Sequence, residues 1–406
     1  MTAQSDALGT PAGARRFEAL LAALVCLTAV SVDMSLPALP KVTAAYGVPS
    51  AQGALVVGVF VVGYALGQFI WGPLSDAVGR RPAFLGGLLV FAALAFLTPL
   101  SPDFDTLLAV RFVHGMTGGV GPVVGRATIR DIASGARAAS LLAKVTAILG
   151  LAPLLAPLAG SGILAALPDG VDWQATFWSL GVFACGLAVL VWRIAPETVP
   201  AHRRTRLRMS TFLAPWPVAR SMAGMAEVRR AMLLVALPFA GYYAILTGSP
   251  ALLVDVFGFS ADLFGPLFAF VAVFWFLGAT AARFLVRHMA DGVLMRGAAA
   301  LVLGGGGLAL FASVWTDSPA FIPIWTGFAL FVGGVGVMLP LATARALAPF
   351  AGAAGSAAAV LGATQMLAGA GAAALVAMLY QGSPVSVALI LSALGLASAA
   401  LLLRRP

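Results

Sequence analysis

Predominantly apolar stretches of about 20 residues recur along nearly the whole chain, and about 20 such residues are what an α-helix needs to cross the hydrocarbon core of a bilayer. They lie near residues 17–39, 53–75, 83–100, 106–125, 141–163, 173–194, 231–252, 264–286, 293–314, 320–341, 356–380 and 384–403. The stretches are continuous instead of alternating over about ten residues, which excludes a membrane β-barrel. With no water in the bilayer core to satisfy backbone groups, helices are the remaining choice. Side chains are 61% hydrophobic and 10% charged, whereas soluble domains carry about 25% charge. The expectation is an all-α integral membrane protein of twelve spans, with no room for a soluble catalytic or receptor domain.

The one long polar interval, residues 195–230, carries Arg203, Arg204, Arg206, Arg208, Arg220, Arg229 and Arg230. It divides the chain into a six-helix bundle over residues 1–194, a basic cytoplasmic linker over 195–230 and a second six-helix bundle over 231–406. Lys and Arg mark cytoplasmic connections. Arg15, Arg16, Arg80, Arg81, Arg130, Arg137, the linker, Arg283, Arg287, Arg296, Arg345, Arg404 and Arg405 all fall on one side. The opposite connections hold Lys41 against Asp103, Asp105, Asp169, Asp172, Asp255, Asp262 and Asp317. Both termini are therefore expected in the cytoplasm. Arg15 and Arg16 before an apolar run also fit a signal peptide, but removing the first span would reverse this charge pattern.

The net charge of +9 serves topology and gives no reason to expect nucleic acid as a partner. Cys26 and Cys185 sit in apolar stretches without metal-ligand spacing. His114, His202 and His288 stand far apart, so no metal site and no cofactor are expected. Paired acidic motifs and a His-bearing catalytic loop at the membrane face are both missing, which argues against an intramembrane enzyme.

Asp33 is the carboxylate that the pattern places well inside a span. A charge at such depth costs at least a few kcal/mol and marks an ion or substrate pathway; the competing reading is an interfacial cap beside Pro37 and Pro40. Arg111 is a second intramembrane charge, either functional or snorkelling to the surface. His114, three residues on, shares its helix face and is either titratable or a hydrogen-bonded core residue. The run GPLSDAVGRR at 72–81 combines Gly72 and Gly79 for a tight turn with Asp76, Arg80 and Arg81 for a latch of salt bridges. GLAPLLAPLAGSG at 150–162 places Pro153, Pro157 and Gly160 at helical spacing, which predicts a kinked helix packed closely on a neighbour.

These motifs together resemble the major facilitator superfamily and, within it, the drug:proton antiporters of the Bcr/CflA type. Residues 72–81 are similar to the loop 2–3 signature Gly-x-Leu-Ser-Asp-Arg-x-Gly-Arg-Arg, RFVHG at 111–115 to the fourth-helix Arg motif, and 150–160 to the fifth-helix antiporter motif. VDMSLPALP at 32–40 and RATIRD at 126–131 resemble the subgroup. Ala77 stands where the signature has Arg, Ala156 and Ala159 where the fifth-helix motif has Gly, and His114 where Gln is usual. The resemblance implies the major facilitator fold, two bundles rocking about a central cavity, in a monomer of the bacterial inner membrane. It implies Asp33 as proton acceptor and substrate contact, with Arg111 tuning it. Asp76, Arg80 and Arg81 would latch the inner gate, and Pro153, Pro157 and Gly160 would shape the interface between halves. Tyr64, Gln68, Tyr242, Tyr243 and Gln365 are expected to line the cavity. The implied activity is export of small amphipathic drugs or antibiotics in exchange for protons, the proton gradient being the energy source. A natural metabolite, such as an amino-acid derivative or a siderophore, is the alternative cargo.

Overall fold

The computed structural model describes residues 11–168, 171–207, 211–212, 215–315 and 319–403. Asp169, Arg208, Asp317, Arg404 and Arg405 of the charge pattern lie outside the described residues. The first half contains α1 (Pro11–Asp33), α2 (Leu39–Ala45), α3 (Gly53–Val78), α4 (Arg80–Leu97), α5 (Phe104–Gly118), α6 (Val120–Ile132), α7 (Gly135–Leu149), α8 (Ala152–Ala166) and α9 (Asp172–Ile194). After the linker helix α10 (Pro215–Gly224) come α11 (Ala226–Ala251), α12 (Phe264–Leu285), α13 (Asp291–Val314), α14 (Phe321–Leu347), α15 (Ala354–Leu379) and α16 (Val385–Leu403). Among the described residues twelve helical stretches are long and apolar enough to cross a membrane. Large apolar side chains such as Leu89, Val182, Phe276 and Ile322 cover the outside, as hydrocarbon surroundings require.

Three spans break in the middle, each for a local reason. α1 stops at Asp33, and Pro37 and Pro40 then each occupy the first turn of a new short helix, where a missing N–H costs nothing. The fourth span breaks at Gly119 between α5 and α6. The fifth breaks at Gly150 and Leu151, with Pro153 in the first turn of α8 and Pro157 inside it. The expected kink is therefore divided: Pro153 starts a helix, and only Pro157 interrupts one.

Within the first half α3 packs along α5, α4 along α9, and α1 against α6, α7 and α8. In the second, α14 lies against α12 and α13, α11 against α15, and α13 against α16. The halves meet where α3 runs along α15 and α8 along α12. Among the described residues, the side-chain hydrogen bonds between the halves sit at the aspartate-bearing end. Ser50 donates to the Asp255 carboxylate, and Ser161 Oγ accepts from the Gly265 N–H at 2.7 Å. At the same end the short helix Leu36–Ala38 touches Ala261–Leu263.

Residues 195–207 do not form a free linker. They fold back on the α3–α4 turn, where the Thr205 N–H donates to the Asp76 carbonyl at 3.1 Å. α10 packs on α15 and α11, and α11 begins at Ala226, ahead of the expected 231.

Candidate functional site

Asp33 is 4% exposed, and among the described residues no hydrogen bond or ion pair engages its carboxylate. It sits where α1 gives way to the proline-started segments. α8 closes against this turn because residue 160 is glycine: a Cβ there would run into the Met34 carbonyl oxygen and stand 2.9 Å from Pro37. Opposite Asp33, α11 presents Tyr242 and Tyr243, both within electrostatic range of it. The two phenols belong to an aromatic group in which Phe239 lies 4.9 Å from Tyr243 and Trp275 4.8 Å from Tyr242. Tyr243 in turn is in electrostatic range of Tyr64, and Tyr64 of the Arg126 guanidinium. One turn further along α3, Gln68 lies against Gly362 of α15. Its Nε2 is buried without a partner. Gln365 lies one turn from Gly362 and is half-buried, with no hydrogen bond among the described residues.

Asp33, Tyr64, Gln68, Tyr242 and Tyr243 are thus brought together where the halves face each other. Arg111 and His114 are placed elsewhere. Arg111 is fully buried inside the first half, which excludes snorkelling. Its guanidinium stacks 4.3 Å over Phe60 and 5.3 Å from Phe177. Nε donates to the Val56 carbonyl at 3.4 Å, and Nη1 lies 3.2 Å from His114 Nδ1. No ion pair joins Arg111 to Asp33 among the described residues. Because a guanidinium only donates, His114 Nδ1 must accept, so the imidazole is neutral in this arrangement. Its ring is held between Phe60 and Phe91. Cation–π contacts replace a counter-ion here.

The α3–α4 turn forms a separate polar cluster. Gly79 has φ 103°, a conformation that only glycine adopts without strain, while Gly72 touches little. Arg80 pairs with Asp76 and, at 2.8 Å, with Asp131, and it donates to Ser75 Oγ at 2.6 Å. Arg81 donates to the Trp192 carbonyl at 2.6 Å. The Glu197 carboxylate receives the backbone N–H groups of Arg80 and Arg81 at 2.9 and 3.3 Å, capping the N-terminus of α4. Thr198 Oγ1 donates to Asp131 at 2.9 Å. Arg204 lies 3.8 Å from Glu197.

Sequence reasoning missed several of these groups. Asp172, assigned to a loop, is fully buried and paired with Lys41, so Asp33 is not the only buried carboxylate. Glu197 gave no local signal, and Asp131 entered only as the last residue of RATIRD, because their partners are remote in sequence. Arg126 and Arg130 share a helix face by their spacing, which the arginine count concealed.

A sequence model of the Major Facilitator Superfamily matches residues 21–376. The chain belongs to the Major Facilitator Superfamily. A Bicyclomycin resistance protein homolog of Haemophilus influenzae is 30% identical over 88% of this chain and 87% of that protein. Multidrug resistance protein D of Escherichia coli is 29% identical over 93% and 92%. The uncharacterized MFS-type transporter YdgK of Bacillus subtilis is 30% identical, and the chain spans 64% of its length. These similarities place the chain with the Bcr/CflA-type members of the superfamily, which are transporters and not enzymes. In fold it is similar to the crystal structure of a D-xylose-proton symporter, with TM-score 0.72 at 18% identity over 96% of this chain and 97% of the other. The major facilitator fold therefore places the Asp33 cluster between two six-helix halves of a multi-pass membrane transporter.

Proposed function

We propose that the protein exports small amphipathic drugs in exchange for protons. The carrying observation is the Asp33 carboxylate: nearly buried, without a partner among the described residues, and within electrostatic range of Tyr242 and Tyr243 of the opposite half. A buried carboxylate without a counter-ion is stabilised either by a proton or by a cationic ligand. Competition between the two couples their fluxes. Protonation from the outside releases the substrate, and deprotonation inside restores the anionic site. The names of the Haemophilus and Escherichia relatives support drugs as the cargo.

Alternating access is supported by the asymmetry of the interface. The Ser50–Asp255 and Ser161–Gly265 bonds hold the aspartate-bearing end together, while Arg80, Asp131 and Glu197 at the other end bond within residues 75–205. The proposed placement is the bacterial inner membrane, with the arginine-rich end and both termini in the cytoplasm and the monomer as the working unit. The bundle boundaries then fall at 194 and 226.

The test is proton flux in everted membrane vesicles under an imposed pH gradient. Drug-dependent collapse of the gradient in wild type and none in Asp33→Asn is the expected result. Equal collapse in both would remove Asp33 from the coupling mechanism.

A further inference from the structure

Arg126 stands on α6, six residues before its end, with more than a third of its surface open despite lying in a span. Arg130, four residues on and on the same face, comes so near α15 that a Cβ on Gly355 would stand 3.2 Å from its Nη1. Neither guanidinium has an acidic partner among the described residues.

Two further donors belong to α3. Tyr64 carries a hydroxyl within electrostatic range of the Arg126 guanidinium, and Gln68, one turn along the helix, offers an Nε2 that is buried and unpartnered. Gln68 is 7% exposed, so that donor is aimed at a site within the protein. Among the described residues the Gln68 Nε2 has no acceptor, the Tyr64 hydroxyl keeps a proton to donate when its oxygen accepts from Arg126, and the guanidinium has no carboxylate, so this stretch of α3 and α6 has donors to spare. A carboxylate fits them, since it accepts a guanidinium in bidentate fashion and has lone pairs left for the other two donors. Tyr243 lies within electrostatic range of both Tyr64 and Asp33, and Asp33 has no cationic partner among the described residues.

We propose that Arg126, with Tyr64 and Gln68, binds the anionic group of a zwitterionic amphiphile whose amine is directed to Asp33. This rests on the transport reading above and narrows its cargo: compounds carrying a carboxylate as well as an amine are preferred over simple lipophilic cations. Zwitterionic antibiotics and amino-acid derivatives present this same chemistry.

The experiment is equilibrium binding to the purified full-length protein in detergent. Two matched pairs serve as probes: norfloxacin with its methyl ester, and phenylalanylphenylalanine with its methyl ester. Each ester retains the amine and loses the anion. Wild type is expected to bind at least one acid about tenfold more tightly than its ester, a difference of about 1.4 kcal/mol, and the pair that shows it tells drug-like from peptide-like cargo. In Arg126→Gln the ratio should fall below twofold, and Arg126→Lys should recover part of it. No preference in wild type for either pair overturns the proposal. So does a preference that survives Arg126→Gln, or a parallel loss of acid and ester that leaves the ratio unchanged. A wild type that prefers the acid at equilibrium yet moves no protons would sink the antiport reading and leave the Arg126 assignment standing.

Discussion

In residues 11–194 the buried side chains include Asp33, Arg80, Arg111, His114 and Asp172, whereas from residue 226 onward the buried polar residues among those described are Thr247, Ser249 and Ser398, with Tyr242, Tyr243 and Tyr380 as phenols. The two halves have the same number of spans among the described residues and similar helix packing, yet Asp, Arg and His side chains are buried in only one of them. Each buried charge costs several kcal/mol unless it is compensated, and the first half compensates in different ways. Lys41 pairs with Asp172, Arg111 stacks on aromatic rings, and Arg80 holds two carboxylates. Asp33 alone among these is uncompensated. The second half supplies a neutral wall, closely packed and aromatic. Under the proposed antiport, the first half would carry the charge chemistry and the second half would shape the space.

The largest effect expected from this contrast is that of Asp33→Asn, at least a tenfold loss of drug-driven proton flux in vesicles with unchanged membrane insertion. A loss of similar size from a second-half substitution such as Thr247→Val would break the comparison. Next is Lys41→Met, which strands the buried Asp172 carboxylate. Its thermal unfolding in detergent should show destabilisation of about 3–5 kcal/mol. Glu197→Gln removes the charge that caps α4, and a loss of about 1 kcal/mol in the same assay is expected. Thr247→Val removes only a hydroxyl bonded at 2.7 Å to the Tyr243 carbonyl of its own helix and should cost less than about 1 kcal/mol. Smallest of all is His114→Gln. With a neutral imidazole locked against Arg111, the pH–rate profile should not move, and a displaced profile would place a titrating group where the geometry has none.

The twelve spans were legible because hydropathy and length decide whether a helix can cross the bilayer, and neither depends on knowing the neighbours. Asp33, Tyr64, Gln68, Tyr242 and Tyr243 were legible for a related reason: a polar group in an apolar run must face something other than lipid. What each one faces was hidden. Arg111 and Asp33 look alike in sequence, but one is enclosed by Phe60 and Phe177 while the other opens toward the second half. The Glu197 cap on α4 joins residues 117 apart, and a polar linker carries no mark of the helix end it will cover. Local grammar also misled at Pro153, since a proline that starts a helix and one that bends it have the same spacing until the break at Gly150 is seen.

The Lys41–Asp172 pair bears on how the protein is made. Its partners lie 131 residues apart, so at synthesis rates of about 5–20 residues per second the lysine waits about 7–26 s for its carboxylate. During that interval the first five spans are in the membrane, or entering it, with one corner of the bundle unfastened. The arrival of α9 fastens it. Asp172 is thus a late arrival on the nascent chain, and translation arrest just before it would leave a bundle that is apolar enough to stay in the bilayer but lacks this cross-link.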